Sequence, residues 1–301
     1  MTINSDIFAI QDVFVNNVGY GGGKEETFDR KRSFLHAAYS GNPHETLHSI
    51  ITEKADIAYS SVALKQFLAA MGSSGTVDVP YLQLDGTNGA EIIFAQAAGS
   101  APGYQSTALH VSRKALNGLM VLEGIRWSKD QAAEIMLRIF GLSADGVTNP
   151  WTPTNTRALP AQDFLNQAFT LTSLNLNGNA IGATQSIDFS VGHKFSYDPL
   201  VGNPYAIGIC GAGAKGPLEF RLTAEVNNVG STEGTGAVSM TFTNYLQGGT
   251  LGTTTVVITL AGGWTTEDSM RASAGSAATK KLTVFPKYDG TTKPMTWVIT
   301  N

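Results

Sequence analysis

The stretch of this chain whose residue types and spacing point to metal chemistry is His44-Glu45-Thr46-Leu47-His48. On an α-helix, two histidines four residues apart share a face and bind Zn²⁺ through their imidazoles. The glutamate between them then polarises a metal-bound water. That chemistry needs a stable helix and a third ligand. Pro43 permits a helix to begin, but Ser49-Ile50-Ile51-Thr52-Glu53-Lys54-Ala55-Asp56-Ile57-Ala58-Tyr59 has a strand pattern at once. The longer metalloprotease pattern asks for Gly and His downstream, where this chain has Ile51 and Lys54. Glu53 is too close to serve as third ligand, and the surroundings of Glu91 and His110 lack helical periodicity. We expect a surface turn carrying two solvated histidines.

Other candidate groups are weaker. Gly211-Ala-Gly-Ala-Lys-Gly216 and Gly19–Lys24 lack the spacing of a phosphate loop, and no helix follows the first, so a glycine-rich hairpin tip is expected at 211–216. Asp56, Asp188 and Glu219 lie in strand-like runs without a matching carboxylate, so no acid–base pair emerges. No Gly-x-Ser-x-Gly elbow is present. Trp127, Trp151, Trp264 and Trp297 are too dispersed for a sugar platform and are expected as core or interface anchors. Cys210 is the single cysteine, which excludes an intrachain disulfide and a cysteine-clustered metal site; it is expected as a small buried hydrophobe. Sequence reading assigns no catalytic, cofactor-binding or metal-binding residue, no cofactor, and no enzymatic activity.

The elements around these residues are mostly strands. Residues 1–46 form an expected N-terminal arm, with a short helix within Lys24–Ser40 ended by Gly41-Asn42-Pro43. A strand follows over Leu47–Tyr59. Leu64, Phe67, Leu68 and Met71 then have i, i+3, i+4, i+7 spacing, which predicts a helix over about 61–71 with Ser60 or Ser61 as N-cap and Gly72 as stop. Strands are expected at Val77–Leu84, Ala90–Ala95, Ala108–Arg113, Leu119–Trp127 and Ala133–Phe140, the last also compatible with a helix. Ser143–Pro160, punctuated by prolines, is the best candidate linker between a first β domain at 47–142 and a second at 161–301. In the second, Phe169–Leu176 meets the hairpin signal Asn177-Gly178. Further strands are expected at Ala183–Val191, Tyr205–Cys210, Leu218–Val226, Ala237–Phe242, Thr253–Leu260, Lys281–Tyr288 and Met295–Thr300.

Composition narrows the function. Charged residues make up 15% of the 301 residues, against roughly 25% in an average globular protein. Gly, Thr, Ser, Asn and Ala replace them, as suits a surface covered by partners. The net charge of −4 and scattered cations disfavour nucleic-acid binding; Arg30-Lys31-Arg32 sits beside Glu25, Glu26 and Asp29 as a mixed-charge face. Met1-Thr-Ile-Asn-Ser-Asp6 has neither a basic nor an apolar leader region, and no run of 18 apolar residues exists. Synthesis in a cytoplasm and no membrane span are expected.

The order of these segments carries a resemblance. Ile51–Leu68, Tyr81–Leu84, Ile92–Gln96 and His110–Trp127 have a strand–helix–strand texture that resembles the major tail (tail tube) proteins of tailed bacteriophages. Phe169–Phe189 and Leu282–Gly290 with Trp297–Thr300 continue it, so the likeness spans 47–301. It implies a mainly β fold, an antiparallel sandwich or barrel of tail-tube type, with residues 61–71 as the flanking helix. The length beyond usual members implies an added domain or a duplicated tube fold. Such a subunit assembles with copies of itself into stacked rings, through residues 1–46 and a long hairpin, and joins other tail proteins in the virion. DNA passes through the lumen without specific binding. The alternatives are another phage structural protein (capsid, decoration or baseplate) and a ligand-binding β-sandwich.

Overall fold

The computed structural model describes residues 8–20, 26–37, 47–96, 110–157, 168–192, 195–199, 203–210, 219–227, 233–246, 249–272, 278–287, 291 and 293–301. The chain begins with strands β1 (Phe8–Val15), β2 (Val18–Gly19), β3 (Glu26–Ala37) and β4 (Leu47–Ser61), then helix α1 (Leu64–Ala70). Next come β5 (Ser74–Val77), β6 (Tyr81–Gln83), β7 (Ala90–Gln96), β8 (His110–Ala115), β9 (Asn117–Ser128), β10 (Glu134–Leu142) and β11 (Thr152–Arg157). They are followed by β12 (Phe169–Leu176), β13 (Asn179–Ile181), β14 (Thr184–Gly192), β15 (Ser196–Pro199) and β16 (Ala206–Cys210). The chain closes with β17 (Glu219–Val226), β18 (Gly234–Tyr245), β19 (Leu251–Arg271), β20 (Thr279–Pro286) and β21 (Met295–Thr300).

The protein is mainly β, with antiparallel pairing in every registered strand pair. One sheet of 14 strands runs β13-β12-β18-β19-β20-β17-β14-β9-β10-β4-β3, with β21, β5 and β6 attached beside it. A second sheet has the order β11-β8-β7-β1-β2, and β15 pairs with β16 alone. The large sheet passes through both segments separated by the expected linker. β14 pairs with β9 from Ser186↔Ser128 to Ser190↔Gly124, and β5 pairs with β21. A single cluster of buried side chains accordingly includes Ile57, Phe67, Ile125 and Leu137 together with Phe189, Leu222, Phe242, Ile258 and Trp297.

Alternation explains why these strands form where they do. In β17, Phe220, Leu222, Ala224 and Val226 are buried while Arg221 and Glu225 are exposed. A period of two residues places one set on the core face and the other in water. Burial of each large apolar side chain stabilises by roughly 1.5–3 kcal/mol. The β12–β13 hairpin turns at Asn177 (φ 54°) and Gly178 (φ 82°), both in the left-handed region that a two-residue turn requires.

Several expectations are corrected. Lys24–Ser40 holds no helix within its described part: residues 26–37 form β3, paired residue by residue with β4 from Glu26↔Tyr59 to Ala37↔Leu47. The backbone groups of β4 need partners, and a neighbouring strand satisfies them where a short helix would not. Residues 8–15 and 18–19 of the expected arm are likewise strands, β1 and β2, in the five-stranded sheet. Helix α1 starts at Leu64 because Ser61 closes β4; its hydroxyl donates to the Tyr20 carbonyl and accepts from the Ala63 N–H at 3.1 Å. Gly72, at φ 125°, stands just past the helix end, as expected from its freedom to adopt positive φ. The strand expected over 77–84 is split into β5 and β6 around Pro80, which has no N–H to give a ladder. Residues 152–157 of the expected linker form β11, which pairs with β8.

Phe189 is fully buried on β14, the strand bridging the two segments. Phe189→Ala should lower the unfolding free energy by about 3–5 kcal/mol in urea denaturation. Ser190→Ala on the neighbouring position should stay within about 0.5 kcal/mol.

Candidate functional site

Among the described residues, those singled out for chemistry do not converge. His48 occupies a strand position in β4, directly opposite His36 in the β3 register. His44, Glu45 and Thr46 lie outside the described residues. A strand points successive side chains to opposite faces, so the helical presentation that a zinc pair requires is not available at His48. Glu91 and His110 stand on strands β7 and β8. Among the described residues, no group of three or more His, Cys, Asp or Glu side chains is placed to hold a metal ion.

Several carboxylates of the strands are used in cross-strand ion pairs. Arg138 on β10 donates to Asp56 on β4 at 2.9 Å and pairs with Glu123 on β9 at 2.6 Å. Asp188 on β14 pairs with Arg126 on β9 at 3.2 Å. The Arg126–Asp188 pair is exposed, and such pairs contribute little to stability, on the order of 0–1 kcal/mol, whereas the Arg138 pairs are partly buried. The Gly211–Gly216 loop lies outside the described residues, as do the side chains of Glu219 and Cys210; Cys210 itself ends β16.

The tryptophans divide. Trp127, Trp151 and Trp297 are buried. The Trp127 indole donates to Thr170 Oγ1 at 2.9 Å, and that of Trp297 donates to the Gly72 carbonyl at 3.0 Å. Trp264 is 54% exposed, on a sheet whose described large aromatics are otherwise buried with few exceptions. One of those exceptions is its direct neighbour: Trp264 pairs with Phe285 on β20, which is 46% exposed.

The cause is a bulge in β19. Val256, Ile258 and Leu260 face the core at even positions, whereas Gly263 and Thr265 are the buried residues further along. Against β18, the register steps from Val238↔Leu260 to Gly236↔Gly263, so β19 holds one residue more than its partner. An extra residue moves every later side chain to the opposite face. Trp264 is thereby turned into solvent. At the same point β19 exchanges neighbours, pairing with β21 before the bulge and with β20 after it. Close approach there demands glycine, because a Cβ on Gly263 would collide with the Phe285 carbonyl.

The result is an open groove of about 1120 Å³ lined by Trp264, Phe285, Phe220, Pro286 and Pro294, with Asp78 and Lys287 as its charged members. The Arg221 guanidinium lies 5.8 Å from the centre of the Phe285 ring, a cation–π arrangement. Exposed apolar surface rimmed by polar groups marks a place where a partner or ligand binds. The sequence named Trp264 as an anchor, but nothing local distinguished it from the three buried tryptophans.

Two surface loops show how aspartates fix the connections. Asp85 Oδ1 accepts the N–H groups of Thr87, Asn88 and Gly89 at 2.9, 2.6 and 3.0 Å. Asp145 Oδ1 accepts those of Val147 and Thr148 at 2.9 and 2.7 Å. These hydrogen bonds favour the ionised form and hold both carboxyls well below the usual carboxylate range.

Compared with known proteins, the chain matches no family model and no curated protein. The fold and the groove therefore define it only as a mainly β, antiparallel protein with an exposed aromatic recess.

An aspartate whose carboxyl ionises more readily in the folded than in the unfolded chain adds stability while both states are ionised. For Asp85 and Asp145 that contribution is whole above roughly pH 4 and shrinks as the pH falls below it. Asp85→Ala should speed amide exchange at Thr87, Asn88 and Gly89 at neutral pH. Its stability deficit should narrow in denaturation measured at progressively lower pH.

Proposed function

We propose that this protein is a self-assembling structural subunit, a tail tube protein whose copies form stacked rings around a DNA-conducting lumen. The Trp264–Phe285 groove is the observation that carries self-assembly. A 1120 Å³ recess with a 54%-exposed Trp beside a 46%-exposed Phe is costly to leave in water and suits a protein partner. Two further observations support the reading. Charged residues are few, at 15%, which leaves surfaces that can be buried against copies. The β3–β4 ribbon also runs past the main sheet: β10 pairs with β4 only from Asp56 to Ser61, whereas β3 pairs with it down to Leu47. A two-stranded ribbon is marginal alone in water and gains stability when a neighbour covers it. The tube form of the assembly rests on the resemblance of residues 47–301 to tail tube proteins. On that reading the virion is its location, other tail proteins are its further partners, and no catalysis is involved.

The groove itself favours a second reading, a ligand-binding β protein that stacks a glycan ring on Trp264. Sedimentation velocity separates the two. The wild-type chain should form species much larger than a monomer as concentration rises. Trp264→Ser should weaken self-association by about thirtyfold or more, the weight of an aromatic hot spot, with an unchanged far-ultraviolet spectrum. A Trp264→Ser protein that assembles like wild type, beside a wild type that binds glycans in an array, favours the second reading.

A further inference from the structure

We infer that a separate polar recess on the five-stranded sheet is a binding site for a small oxyanion, a carboxylate or a phosphate. The recess holds about 350 Å³ and is lined by Phe14, Asn17, Asn88, Glu91, Lys114 and Arg157. These residues come from four strands and two turns that the sheet order β11-β8-β7-β1-β2 brings side by side. Register places Glu91 directly opposite Phe14 on one side and Lys114 on the other.

The charges in this recess are unequal. Among the described residues Glu91 is the only carboxylate lining it, and Arg157 already holds that carboxylate: the guanidinium Nε lies 3.1 Å from Oε1 and 3.2 Å from Oε2. Lys114 faces Glu91 across the strands but donates instead to the Thr87 carbonyl at 3.3 Å, a long contact. Among the described residues the Lys114 ammonium makes no ion pair and keeps spare donors. Only Nε of Arg157 meets Glu91, and among the described residues no acceptor meets the terminal amino groups of this planar, five-donor guanidinium. The nearby Asp85 makes no ion pair with Lys114 or Arg157 among the described residues. It lies outside the lining, and its oxygens are occupied by the Thr87, Asn88 and Gly89 N–H groups and by the Asn88 amide at 2.8 Å.

The walls are held in place before any ligand arrives. Asn16 donates to the Gln83 carbonyl at 2.9 Å and accepts the Asp85 N–H at 3.0 Å, tying the β1–β2 turn to the 83–89 loop. Asn17, at φ 65°, completes that two-residue turn and presents a carboxamide at the recess. A preformed cavity with an ammonium outside any described ion pair, part of a guanidinium and a carboxamide donor suits a compact anion with two or more oxygens. The size admits a small molecule or one acidic side chain and excludes a folded domain.

The inference is independent of the assembly reading, and its test uses the full-length protein. Titration with sodium acetate and with inorganic phosphate, at constant ionic strength, is followed by amide shifts in ¹H–¹⁵N spectra. Saturable shifts confined to residues 14–17, 88–91, 114 and 157 are expected, and the tighter of the two anions identifies the class. Lys114→Gln should weaken binding about tenfold or more, whereas Lys114→Arg, which keeps the charge, should retain it. Binding that is equal in wild type and Lys114→Gln, or shifts that scatter over the surface without saturating, would overturn the site. If the acetate and phosphate titrations are flat but Lys114→Gln alters sedimentation, the recess holds an acidic side chain of a second copy, and the free-anion inference is wrong.

Discussion

One extra residue in β19, in the Ala261-Gly262 step, governs how the rest of the large sheet is arranged. Before it, Val256, Ile258 and Leu260 supply the core, and β21 lies alongside; after it the buried positions are odd, and β20 takes the place of β21. A ladder with uninterrupted register would send Trp264 into the core and Thr265 outward. The bulge reverses both. It also lies where Phe285 and Pro286 come against Gly263 within this 21-residue strand. The groove, its aromatic wall and the change of strand partners thus have one origin.

The second constraint is the union of β9 and β14. Ile187 stands opposite Trp127 and Phe189 opposite Ile125, so both segments of the chain bury side chains into one cluster. Each strand supplies the other with backbone partners that neither segment holds alone at that edge. The five-stranded sheet is tied in through β7 and β8, whose inward residues Ile92 and Ala115 belong to the same cluster.

Much of this was legible in the sequence, and what was missed has physical causes. Strands with strict alternation, such as β17 and β21, and the Asn177-Gly178 hairpin follow from local rules that the fold obeys. So does α1, with Leu64, Phe67 and Leu68 on its buried face. Residues 26–37 went to a strand because their partner lies in β4, information that no local window contains. The end of β19 was placed too early, since Ala261-Gly262-Gly263 has the composition of a stop, while β20 continues the ladder to Arg271. The Asn16-Asn17 turn was missed although both residues adopt positive φ, as asparagine readily does. The exposure of Trp264 depends on bulge parity, which composition and periodicity do not report. The oxyanion recess gathers Asn17, Glu91, Lys114 and Arg157 from positions far apart in sequence, so it becomes visible only once the strands are ordered.

The central claim is that the aromatic groove and the protruding β3–β4 ribbon belong to a subunit built to join copies of itself. Electron microscopy of purified wild-type protein, examined over a range of concentrations, tests this most directly. The account predicts hollow tubes or stacked rings with a regular axial repeat. A field of single compact particles that persists to the highest concentration would contradict it.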